Sequence, residues 1–383
     1  MNKCRKEAIM IKRYNSIDIL RALAIIGMIH VHVVEWLSGY YDSHTTLYII
    51  GEYTGSFPAP LFTFLVGMSL FISIKRQKEA NCDPQLTADR NLRRGMGIFF
   101  FGLLFTIFVW MPEEVFGWDI LTFIGASLLI VFPLRNLSSK RIISLIVFIL
   151  AVSPVIRVYT DYHSHWNRWG EYIPAFDMPG VLMGFFANAY FPLFPWLVFP
   201  LAGYVVGRAC FGEDEMQLPK KLLPVGVIAL VGSLGMMYIS SALAMDGIAA
   251  WYVSPFTFYP ASTSYVLLAM GINIVLFVVF FRLFDLREGV NENNPFLVFC
   301  RRYSRYALTA YVVHHALFLW ALIAYAYYLK ELFRWQMYGY IVPTIYAQFV
   351  VIGFIALFYL VLVAWDKRDG RYSFEWWLRR LTG

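Results

Sequence analysis

Charge is what this 383-residue chain has least of. Asp, Glu, Lys and Arg make up 15% of it, against the roughly 25% usual in soluble domains. Hydrophobic residues make up 59%, and so apolar a chain excludes an ordinary soluble globular protein. Cysteine is also scarce, with only Cys4, Cys82, Cys210 and Cys300, and their placement implies no disulfide framework. The sequence contains no GxxxxGK[ST] or GxGxxG phosphate loop, no GxSxG nucleophile elbow, and neither HExxH nor CxxC. Those absences remove the usual nucleotide folds, serine-hydrolase turns and local metal motifs. There is no internal repeat, low-complexity stretch or soluble insertion, so residues 1–383 are expected to form a single integral-membrane domain.

Long apolar runs are abundant. Ten approach the ~20 residues that a membrane-crossing helix needs, at about 18–38, 58–75, 94–111, 118–134, 141–157, 190–208, 222–245, 262–283, 306–328 and 340–365. The loops between them alternate between basic and nearly free of Lys and Arg. Of the 32 Lys and Arg, only Arg157, Arg168, Lys330 and Arg334 fall in the second set of loops. Positive residues stay on the cytoplasmic side. The pattern therefore predicts an all-α, polytopic transmembrane helix bundle of about ten spans with both termini cytoplasmic, in a cell membrane. The basic first 17 residues lack a small-residue cleavage site, so the first span reads as a signal-anchor. The tail 373–381 is amphipathic and reads as lying on the inner interface. A net charge of +7 then fits anionic lipid and anionic substrates rather than nucleic acid.

Ionisable residues inside a span are costly and mark functional candidates. The first span carries Asp18, Arg21, His30, His32 and Glu35. On a helix of 100° and 1.5 Å per residue, Arg21 and His32 lie about 20° apart in azimuth and about 16 Å apart along the axis. Asp18 shares that stripe, His30 points the opposite way, and Glu35 sits one turn beyond His32, near enough to orient a ring nitrogen. An anionic donor held at Arg21 would thus have its reactive end near His32, a natural general base. The alternative is a His32–Glu35 pair that merely satisfies the bundle interior.

Other candidates are weaker. His44 lies in the outer loop 39–57, beside Asp42. His314 and His315 in the ninth span point about 100° apart, so at most one is expected to face a site and a structural role is favoured. The inner cluster of Arg21, Lys75, Arg90, Arg93, Arg94 and Arg208 suits phosphates, although the charge asymmetry alone explains most of it. The outer loop 158–189 carries Tyr159, Tyr162, Trp166, Trp169 and Tyr172, which reads either as a sugar-stacking surface or as a packed lid. Pro195 and Pro200 would free backbone carbonyls that can line a cavity. No metal signature stands out, because His30 and His32 occupy opposite faces.

Taken in order, the blocks RYNSIDILRALAIIGMIHVH, PAPLFTFLVGMSLFIS, RNLRRGMGIFFFGLL, FPLFPWLVFPLAGYVVGR, YPASTSYVLLAMG, SRYALTAYVVHH and FEWWLRRLTG resemble the heparan-α-glucosaminide N-acetyltransferase-like family of membrane acyltransferases. The resemblance covers nearly the whole chain. More distantly, Arg21 through His32 is similar to the first helix of membrane O-acyltransferases that modify polysaccharides. The resemblance implies transfer of an acetyl or other acyl group from cytoplasmic acyl-CoA to an amine or hydroxyl, often on a sugar, at the outer side. Acetyl-CoA would be a co-substrate and no cofactor would be permanently bound.

The family's lysosomal member uses a loop histidine and an asparagine at the end of the first core helix. Here His32 stands at the asparagine position and His44 falls within about a residue of the loop histidine. The implied site is therefore His32, His44 and Glu35 for catalysis, with Asp18, Arg21, Arg90, Arg93, Arg94 and Arg208 around the donor. Whether His32 or His44 is the base stays open, as do direct transfer and an acyl-histidine intermediate. The implied partners are acyl-CoA, a small-molecule or glycan acceptor and the lipid bilayer, with a homodimer left open. The competing class is a transporter or exporter of a small anionic or sugar-like solute along the same stripe. The lack of an inverted repeat counts against it.

Overall fold

A computed structural model describes residues 13–38, 42–168, 170–212, 218–243, 245, 247–253, 256–328 and 342–382. The basic residues Lys3 to Lys12, Trp169 and the loop 329–339 with Lys330 and Arg334 lie outside the described residues. The helices are α1 (Asn15–Ser38), α2 (Thr46–Gly55), α3 (Pro58–Glu79), α4 (Pro84–Phe105), α5 (Ile120–Val131), α6 (Ser139–Tyr159), α7 (Met178–Met183), α8 (Leu193–Trp196), α9 (Val198–Phe211), α10 (Leu218–Leu243), α11 (Gly247–Val253), α12 (Thr263–Phe284), α13 (Pro295–Arg305), α14 (Ala307–Tyr328), α15 (Thr344–Asp366) and α16 (Phe374–Thr382). Among the described residues, 9 helical stretches are long and apolar enough to cross a membrane, and a shorter apolar one covers Ile120–Asn136. These are the ten runs expected from the sequence, and the protein is an integral, multi-pass membrane protein of all-α class.

The chain divides into two compact units, one mainly Thr63–Arg282 and the other Tyr14–Phe62 with Leu283–Leu381. In the first, α3 and α9 approach closely at glycines. A β-carbon on Gly67 would lie 1.8 Å from the Pro200 carbonyl oxygen, and one on Gly203 would lie 1.8 Å from that of Phe64. Gly203 and Gly207 have the small-xxx-small spacing that lets membrane helices pack backbone to backbone. The Pro200 carbonyl thus meets a helix neighbour. Arg208 donates at 2.7 Å to the carbonyls of Leu137 and Arg135, satisfying the end of the short Pro133–Asn136 turn.

The aromatic segment 158–189 folds onto itself among its described residues. Trp166 donates from its indole to the Asn188 carbonyl at 2.9 Å and stacks on Tyr162 at 5.4 Å. Tyr172, Trp118 and Ala189 form a buried cluster. These rings are spent on one another, as the packed-lid reading expects. Cys210 and Cys300 are buried free thiols.

In the second unit α1 is the central element and packs against α13, α14, α15 and α2. Its start is fixed from a distance. The Asp285 carboxylate accepts from the first two backbone N–H groups, Asn15 at 2.6 Å and Ser16 at 2.9 Å. A carboxylate there satisfies otherwise unpaired donors and complements the helix dipole. The Asn15 side chain adds a bond to Glu292 at 3.0 Å and accepts one from Arg301 at 2.9 Å. Replacing Asp285 by alanine is expected to remove about 1–2 kcal/mol of stability, read as a lower Tm in detergent.

The C-terminal helix α16 does more than lie on an interface. Glu375 accepts from the backbone N–H and hydroxyl of Thr309, at 2.9 and 2.5 Å, in the first turn of α14. Burial pushes the Glu375 carboxyl up, partly opposed by those Thr309 bonds. With its folded value above the unfolded one, its contribution is complete at acidic pH and is lost as pH rises through the raised value. A nitroxide at position 381 is therefore expected to gain mobility between acidic and neutral pH. Glu375→Gln should flatten that response.

Candidate active site

The functional candidates of α1 fall at its two ends. At the N-terminal end, Asp18 is buried. Ser304 of α13 accepts from Arg21 Nη1 at 3.0 Å and donates to Asp18 Oδ1 at 2.5 Å. One hydroxyl thus joins the two residues that helix periodicity placed on a common stripe. Cys300, one turn earlier on α13, is not a competing nucleophile: burial, helped by the Asp18 charge, pushes its thiol up to about 11, and the thiol stays protonated.

At the other end, three histidines meet. The His32 ring stacks on His314 with centroids 5.5 Å apart and meets His315 edge-on at 4.6 Å. Trp36, one turn along α1, stacks on His32 at 5.4 Å, and Tyr311 lies 4.4 Å from His315. His314 and His315 are fully buried. Each turns its Nδ1 back onto the carbonyl four residues earlier, His314 to Ala310 at 2.8 Å and His315 to Tyr311 at 2.9 Å.

Those carbonyls fix the tautomers. A carbonyl can only accept, so Nδ1 of each of the two rings carries the proton, and in the neutral ring Nε2 keeps a lone pair. His32 Nδ1 lies 3.1 Å from His314 Nε2. That nitrogen must accept, so His32 Nδ1 donates, and the His32 lone pair resides on Nε2. A base oriented by a hydrogen bond on its far nitrogen is the arrangement that general-base histidines require. The three rings also hold ligand nitrogens within 4.8 Å of one another. An ion bridging His32 Nδ1 and His314 Nε2 would have to displace the hydrogen bond between them.

The other expected residues are placed differently. Glu35 is exposed, and the partner that orients His32 is His314, so the expected carboxylate orienter is replaced by an imidazole. His44 is exposed in the turn before α2 and takes no part in the buried cluster. His30 does point away, bonding Gln348 of α15 at 2.8 Å. The expectation that only one of His314 and His315 could face a site is corrected: both rings fold back along α14 and reach His32. In the first unit, Arg93 and Arg94 are exposed and Arg90 is half-buried on α4, while Arg208 is committed to carbonyls. Trp36, Tyr311 and His315 were missed as site residues, and the only sequence signal for them was a His-His pair inside an apolar helix.

Residues 13–242 match the catalytic domain family of heparan-alpha-glucosaminide N-acetyltransferase. The chain belongs to that family. No curated protein matches it closely. The matched segment contains His32 and the α1 stripe but ends before His314 and His315. Membership makes this a membrane acyltransferase.

Proposed function

We propose that this acyltransferase moves an acetyl group from cytoplasmic acetyl-CoA to an amine or hydroxyl, on a sugar, at the outer side, with His32 as general base. The observation that carries the reading is the His32–His314 hydrogen bond, which leaves the His32 lone pair on Nε2. That nitrogen takes the proton of the acceptor O–H or N–H as the acceptor oxygen or nitrogen attacks the thioester carbonyl carbon. The carbon–sulfur bond breaks, and the thiolate of CoA leaves with the proton that His32 returns. His314 Nε2 accepts the N–H of His32 throughout and stabilises the imidazolium while it lasts. Arg21, held through Ser304 to Asp18, suits a phosphate of the donor. The basic loops support a cytoplasmic location for that end and for both termini.

The test is direct. Purified protein given labelled acetyl-CoA should transfer label to amino or hydroxyl sugars. Absence of both acetyl transfer and CoA binding, with solute flux in liposomes, would instead favour a transporter.

A further inference from the structure

Three imidazoles meet where α14 packs on α1, and all three belong to one compact unit. Each offers one ligand nitrogen, and these nitrogens lie within 4.8 Å of one another. The acyl-transfer reading uses His32 as base and His314 as its orienter. It gives His315 no task.

The carbonyl bonds on α14 do more than set tautomers. Nδ1 of His314 is held to Ala310 and Nδ1 of His315 to Tyr311, so each neutral ring keeps its lone pair on Nε2. Metal-ligating histidines are held in this way: the outer bond to a carbonyl fixes the tautomer and raises the basicity of the ligand nitrogen. Neither ring has to lose a proton before it coordinates, unlike a thiol.

The spacing fits an ion that sits between ligand atoms and needs no cavity of its own. Tetrahedral zinc with bonds of about 2.0–2.1 Å puts neighbouring ligand nitrogens about 3.3 Å apart. His32 Nδ1 and His314 Nε2 already lie 3.1 Å apart. An ion enters that pair in place of the shared proton, with little movement of the two rings, and the His315 nitrogen closes in on it. Entry is from the side of His32, the half-buried member of the trio. Imidazole nitrogens suit zinc, copper, nickel and iron, whereas magnesium and calcium take oxygen ligands.

We propose that His32, His314 and His315 form a binding site for a divalent transition ion of the zinc type, and that occupation of this site and acyl transfer exclude each other. The second clause rests on His32 as general base. If the ion takes Nδ1 of His32, the proton displaced there is taken up at Nε2 and the ring stays neutral. If the ion takes Nε2, that lone pair is consumed. Either way no lone pair of His32 is left for the proton of the acceptor. The ion is therefore a reversible inhibitor, and its removal restores the base.

The test uses the full chain in detergent, purified without a polyhistidine tag and stripped with EDTA. Cobalt(II) is the probe, because its visible absorption distinguishes tetrahedral nitrogen coordination from the octahedral aqua ion. Titration should give one ion per chain, with the band abolished by Zn2+ and unaffected by Mg2+ or Ca2+. His315→Gln should weaken binding at least about tenfold, since losing a ligand costs no less than losing its outer-shell partner, about 10–100-fold. His44→Ala should bind as wild type, which excludes the exposed loop histidine as a ligand. In the transfer assay with labelled acetyl-CoA, Zn2+ should suppress activity over the range in which it displaces cobalt, and EDTA should restore it. An octahedral spectrum in wild type, or a tetrahedral band undiminished in His315→Gln, overturns the site and leaves His32 as base untouched. Tetrahedral cobalt binding at full transfer activity overturns the exclusion, and with it the assignment of His32 as base. Should His315→Gln not fold, the stoichiometry and spectrum of the wild type still decide.

Discussion

His32→Ala is expected to lower acetyl transfer by about 10²–10⁴-fold, the usual contribution of a positioned general base, while CoA binding and the folded state persist. The persistence follows from position: His32 is half-buried and, among the described residues, makes its ring hydrogen bond to a single partner, His314. His314→Ala should lose less, because the Nε2 base remains and only its orienter is gone. The double variant should be no worse than His32→Ala alone, since the two residues act as one unit. His44→Ala should retain most of the activity, because His44 stands exposed and outside the cluster. If His44→Ala instead abolishes transfer and His32→Ala does not, the base has been assigned to the wrong histidine. The same series separates the two chemistries: label trapped on protein in the absence of acceptor, and missing in His32→Ala, would mean that Nε2 attacks the thioester itself.

Gly203→Val should yield little folded protein. The new β-carbon alone would stand 1.8 Å from the Phe64 carbonyl oxygen, and a β-carbon has no rotamer by which to escape. Backbone on α3 or α9 must therefore move. Ordinary overpacking costs about 1–3 kcal/mol, and a backbone-to-backbone clash lies at or beyond the upper end of that range. Gly232→Ala on α10 is the matched control, since nothing lies within 4 Å of its added carbon. Size-exclusion profiles and Tm values of the two variants in one detergent distinguish a packing defect from a general intolerance of glycine replacement. Equal behaviour of the two would show that α3 and α9 do not pack as described.

Much of the architecture was legible because a bilayer makes simple demands. A helix must satisfy its own backbone in lipid and must be about 20 residues long, so apolar run length located every span. The ends were less legible. The start of α1 at Asn15 rather than Asp18 depends on the Asp285 carboxylate, which lies 270 residues away. The aromatic segment 158–189 left two readings open, because stacking surfaces and packed lids use the same residues. Only the pairing of Trp166 with Tyr162 and Asn188 separated them.

The site divides in the same way. The α1 periodicity placed Asp18, Arg21 and His32 on one stripe and turned His30 away from it, since a helix fixes azimuth within itself. It could not supply partners across helices. Ser304 as the link between Asp18 and Arg21, and His314 rather than Glu35 as the orienter of His32, were decided by the packing of α13 and α14 against α1. The sequence alone determined the class, the spans and the family, because hydrophobic length and local pattern are properties of contiguous residues. Tautomers, orienting partners and the meeting of three imidazoles were decided by tertiary structure, because each depends on which distant group occupies the few ångströms around a polar atom.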